Sequence, residues 1–101
     1  QTAKENGIEI HNLAPMVRKK IAEPHWVCYE YQPELQDKPI HLATHSGQEF
    51  DYVLSGQMML YIGDICYELS EGDSAYFNST IPHAHKVIGE SPAQFIALVL
   101  K

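Results

Sequence analysis

His45, Glu49, His83 and His85 are the residues of this chain best suited to chemistry. Two imidazoles and one carboxylate make the usual donor set for Fe(II), Mn(II), Ni(II) or Zn(II), so His45, Glu49 and His83 are candidate metal ligands. His85 shares a strand face with His83, with Cα atoms about 6–7 Å apart, and is an additional candidate. Asp51 has the parity of Glu49, and a carboxylate buried there needs a donor or a cation. Plainer readings stand beside these. Glu49 could be a strand carboxylate held by backbone donors, and His83-Ala84-His85 could be half-buried polar surface. No Ser or Cys sits in a glycine elbow and no phosphate-binding glycine loop occurs, so no nucleophile is evident.

The elements that must position these side chains read as strands. Aromatic and β-branched runs fall at 26–31, 40–45, 49–54, 58–62, 65–69, 74–77, 83–88 and 94–100. Ser46-Gly47, Ser55-Gly56, Gly63-Asp64, Ser70 to Asp73 and Gly89 to Pro92 supply the turns between them. Eight or so short strands with turn signals every 8–12 residues predict an all-β sandwich or barrel. Pro15 argues against a long helix near the start, and no segment beyond residue 25 has a helical period. Residues 1–12 read as an arm or linker, and residues 13–101 as the folded domain.

Composition removes several function classes. The chain has 101 residues, enough for one domain. Seven basic against thirteen acidic residues give a net charge of −6. Nucleic-acid binding needs a basic stripe, and the only basic cluster is Arg18, Lys19 and Lys20. Neither nucleic acid nor an anionic membrane is therefore an expected partner of this segment. No apolar run approaches the ~18 residues of a membrane span. The polar N-terminus lacks an apolar signal segment, so a cytoplasmic location is expected; Cys28 and Cys66 could pair in principle, but buried free thiols are the expectation. The chain starts without a methionine, and the expectation is either a fragment or the C-terminal part of a longer protein.

The text His45-Ser-Gly-Gln-Glu49, then Gly56, then Gly72-Asp73 and Pro82-His83 resembles the cupin superfamily. Its first motif runs G-x5-H-x-H-x3/4-E-x6-G and its second G-x5-P-x-G-x2-H-x3-N. His45, Glu49 and Gly56 match the second half of the first motif without a gap. Gly72 to His83 matches the second, although Asn78, Thr80 and Val87 replace its proline, glycine and asparagine. The resemblance covers roughly residues 26–100 and implies a jelly-roll β-barrel (a double-stranded β-helix) in which His45, Glu49 and His83 converge. Metal-binding cupins commonly use three histidines and this glutamate. Here the first histidine is replaced by Ala43. His41 sits about 13 Å from His45 along an extended strand and cannot substitute for it without a bulge. A divalent ion, if bound, would have open positions for water, a ligand, Gln48 or His85.

The site is therefore expected to be a polar pocket built from His41, Gln48, Asp51, Tyr76 and His85 around the three donors. Tyr76, with Tyr52, Tyr61, Tyr67, Phe77 and Trp26, also reads as core or interface. The resemblance is to small cupins that form the C-terminal sensor half of helix-turn-helix (XRE-type) transcriptional regulators of bacteria or archaea. It implies a small polar or anionic ligand and a homodimer. The alternative is a stand-alone metal-dependent enzyme, a dioxygenase or isomerase. Loss of the ligand at Ala43 counts against it.

Overall fold

The computed structural model describes residues 2–5, 7–36 and 38–101. Among the described residues nine strands run in chain order: β1 (Thr2–Glu5), β2 (Ile8–Asn12), β3 (Ala22–Tyr29), β4 (Gln48–Ser55), β5 (Gln57–Ile62), β6 (Ile65–Ser70), β7 (Ser74–Asn78), β8 (His83–Ile88) and β9 (Ala93–Leu100). The one helical element among the described residues is a single 3-10 turn, Pro33–Leu35. A six-stranded sheet in the order β1-β2-β3-β9-β4-β7 faces a three-stranded sheet in the order β6-β5-β8, and every pairing is antiparallel. This is an all-β barrel as the strand spacing predicts, in the jelly-roll form that the resemblance implies.

Period-two alternation fills the space between the sheets. Along β4 the buried positions are Glu49, Asp51 and Val53; along β5 they are Met58 and Leu60. Val53, Met58, Leu60 and Phe95 form the centre of the core with Val27, Phe77, Val87 and Ala97. Full burial of one such side chain is worth about 1.5–3 kcal/mol. Gly56 turns β4 into β5 at φ +82°, and a Cβ there would lie 2.4 Å from Pro92 O. Only glycine fits both the left-handed backbone and that close approach.

Two segments differ from the sequence reading. Residues 1–12, expected as an arm or linker, contain β1 and β2, which extend the larger sheet beyond β3. The alternation at Ile8-Glu9-Ile10 is too short to mark a strand without its partner. The strand expected at 40–45 is reduced to one isolated bridge, Ala43 with His83. The chain there follows an irregular path from Pro39 to His45, because Pro39 has no N–H to give a ladder.

Candidate metal centre

Three elements bring the predicted donors together. Glu49 enters from β4 and is 4% exposed. His83 is the first residue of β8 and points inward, as do His85 and Val87. His45 lies before β4, where its N–H donates to Ser79 O at 3.0 Å and Ser79 N–H donates to Gly47 O at 3.0 Å. Those two bonds tie the His45 segment to the loop that leads into His83. One donor atom each from His45, Glu49 and His83 lies within 4.8 Å of the others.

Both histidines have their rings held from behind. His83 Nδ1 is 2.8 Å from Ile81 O, and His45 Nδ1 is 3.1 Å from Ser46 O. A proton on Nδ1 donated to those carbonyls leaves each Nε2 as the lone-pair nitrogen. His45 Nε2 stands 3.3 Å from Glu49 Oε1, and the two imidazoles meet edge to face at 5.0 Å.

A second polar layer lies beneath this one. His85 Nε2 is 2.7 Å from Asp51 Oδ2 and 3.5 Å from Glu49 Oε2. The His85 ring stacks on Phe95 at 4.9 Å, and Tyr29 approaches its edge at 6.0 Å. Burial drives the electrostatics here. It pushes Glu49 up to about 7, helped by the neighbouring Asp51 carboxylate, and Asp51 up to about 6. The same burial lowers His85 and, with the charges of Glu49 and Asp51, raises Tyr29 to about 12. Asp51 is wholly buried, and its Oδ1 has no hydrogen-bond partner. A pair of buried carboxylates with an open oxygen suits a cation, and the donor set of His45, Glu49 and His83 suits Fe(II), Mn(II), Ni(II) or Zn(II).

A cavity of about 270 Å³ opens beside this cluster, walled in part by Tyr29, Gln36, Lys38, Ile40, His41 and His85. It meets the donors at His85, whereas His45, Glu49 and His83 do not line it. His41 is thus a pocket-wall residue. Gln48 and Tyr76, expected in the pocket, lie instead on the outer face of the larger sheet, where Tyr76 Oη donates to Gln48 Oε1. Strand parity places them there: Glu49 and Phe77 face inward, so their neighbours Gln48 and Tyr76 face out. Sequence reasoning misses Tyr29 and Ser79. Tyr29 is one more ring at the end of an aromatic run, and the buried Ser79 looks like an ordinary loop residue.

Ala43 occupies a decisive place. Ala43 and His83 exchange both backbone hydrogen bonds at 2.9 Å. Residues directly opposite in such a pair share a face, so the position of the missing histidine does look into the site.

Residues 28–99 match the family model described as Cupin domain. This chain is a cupin domain. No curated protein sequence matches it. Solved structures resemble it in fold. An HTH_3 family transcriptional regulator from Vibrio cholerae superposes with a TM-score of 0.75 at 22% identity, over 94% of this chain and 51% of that one. The Cupin_2 domain of an XRE family transcriptional regulator from Enterobacter cloacae gives 0.75 at 18% identity, over 94% and 97%. Hydroxypropylphosphonic acid epoxidase from S. wedmorenis gives 0.76 at 24% identity, over 94% and 51%. The chain spans about half the length of the Vibrio regulator and of the epoxidase.

Proposed function

We propose that this cupin domain is the small-molecule-sensing half of a transcriptional regulator. It binds a polar or anionic ligand in the cavity and a divalent metal at His45, Glu49 and His83. The observation that carries this reading is the offset of the cavity. A ligand there touches His85, Tyr29 and His41 but not the outer donors, an arrangement suited to detecting a molecule rather than transforming it at the ion. The coverage of regulator cupin domains supports it. DNA contact belongs to a separate domain, consistent with a charge of −6 on this one, and the protein acts in the cytoplasm. Among the described residues no helix is long and apolar enough to cross a membrane.

The domain works as a homodimer through the outer face of its larger sheet. Tyr52, Leu54 and Tyr76 stand exposed there, beside Phe50 and Leu98. Equilibrium sedimentation should give a dimer in the wild type and a monomer after Tyr52→Glu; a wild-type monomer contradicts this.

The sensing reading is tested by thermal-shift screening of polar and anionic metabolites with and without added metal. A stabilising ligand should lose its effect after His85→Gln and keep part of it after His83→Ala. Ligands that stabilise both variants and the wild type equally would refute it. A second reading, a metal-dependent dioxygenase or isomerase, is favoured by the donor set itself. Two histidines and one carboxylate with open positions are the arrangement of non-haem Fe(II) oxygenases. Oxygen uptake by the Fe(II)-loaded protein, abolished in His83→Ala, would establish that reading.

A further inference from the structure

We infer that Glu49, Asp51 and His85 form a second divalent-cation site, deeper in the barrel than the first, with Glu49 shared between the two. One donor atom from each of the three lies within 4.8 Å of the others, as it does for His45, Glu49 and His83. Glu49 belongs to both sets through different oxygens. Oε1 faces His45 Nε2 at 3.3 Å, and Oε2 faces His85 Nε2 at 3.5 Å. A carboxylate that presents one oxygen to each of two donor groups is placed to bridge two ions.

The deeper group has its own sign of a missing ligand. Asp51 is 0% exposed, and its Oδ2 is held 2.7 Å from His85 Nε2. The sister oxygen Oδ1 therefore lies in the same cluster, and no group outside the two facing carboxyls donates to it. A buried acceptor left open carries its full desolvation cost. Charge points the same way. Two buried carboxylates beside one imidazole carry, once deprotonated, an excess of negative charge that a divalent ion would neutralise. Access comes from the cavity, which reaches His85 and could supply water or a ligand oxygen to complete the coordination.

The inference rests on the metal reading above only through Glu49, and stoichiometry separates the two. The full chain is stripped with chelator, reloaded with Mn(II), desalted, and examined by elemental analysis and by electron paramagnetic resonance. Wild type should hold two Mn(II), with a spectrum broadened by exchange through the shared carboxylate. Asp51→Asn, His85→Gln and His83→Ala should each hold one, with the sharp six-line pattern of an isolated ion. Circular dichroism of each variant guards against misfolding, and the near-isosteric Asp51→Asn is the variant least able to unfold the barrel. One ion in the wild type, kept in Asp51→Asn and His85→Gln but lost in His83→Ala, overturns the inner site and leaves the outer one. One ion kept in His83→Ala but lost in Asp51→Asn supports the inner site and removes the outer one. No ion in the wild type overturns both.

Discussion

Stripped of metal, this protein should become less stable as pH rises from 5 to 7.5, the reverse of ordinary acid denaturation. A carboxylate whose pKa is higher in the folded state binds its proton more tightly there, so stability falls as pH climbs from the unfolded to the folded value. For Glu49 that interval runs from 4.5 to about 7, and for Asp51 from 3.8 to about 6. At about 1.4 kcal/mol per pH unit for each proton, Glu49 costs the fold about 3 kcal/mol and Asp51 about 1 kcal/mol above pH 5. His85 opposes them. Its lowered pKa means that stability is gained as pH rises towards 6.5, an offset of at most about 2 kcal/mol for one proton. The net loss is on the order of 2 kcal/mol, or roughly 10 °C in melting temperature for a domain of this size. Melting curves by circular dichroism in EDTA at pH 5, 6, 7 and 7.5 measure it directly. Excess Mn(II) should invert the slope, because metal ligands must be deprotonated to bind. Asp51→Asn removes one proton and relieves Glu49, so its metal-free curve should be flatter. A metal-free melting temperature that holds constant or rises across the interval would refute the argument.

Three further outcomes follow from the same geometry. Ala43→His should restore the inward ligand opposite His83 and tighten outer metal binding at least ~10-fold, the low end of what even outer-shell contacts deliver; chelator competition reads this. Phe95→Ala should cost about 3–5 kcal/mol in urea denaturation, since the ring is 1% exposed and central to the core. The same change should weaken ligand binding in the cavity by freeing the His85 ring that stacks on it. Gly56→Ala should lower stability by about 1–3 kcal/mol, because it combines a positive φ with a contact at 2.4 Å; an unchanged melting temperature would contradict the tight approach of Gly56 to Pro92.

Much of this protein is legible in its residues. Turn glycines and alternating strands determine an all-β barrel, since period two and positive φ are local properties of the chain. The spacing of His45, Glu49 and His83 marks the donors, and parity alone predicts that Asp51 lies inside with Glu49. Applied strictly, the same parity sends Gln48 and Tyr76 to the outer face. Other features have no local signature. Strands β1 and β2 are too short and mixed to declare themselves, and they become strands only because β3 offers an edge to pair with. Tertiary structure alone decided which donors share a carboxylate. Glu49 stands between His45 and His85 because β4 and β8 lie on opposite sheets, and that separation across the barrel is not written in sequence distance. The offset of the cavity from the outer donors likewise depends on the irregular segment before His45, whose Pro39, Ile40 and His41 wall the cavity. Sequence determined the kind of chemistry available here, because residue types are local. The fold decided how many ions those residues could hold and which of them a ligand would meet, because both depend on distances between strands remote in the chain.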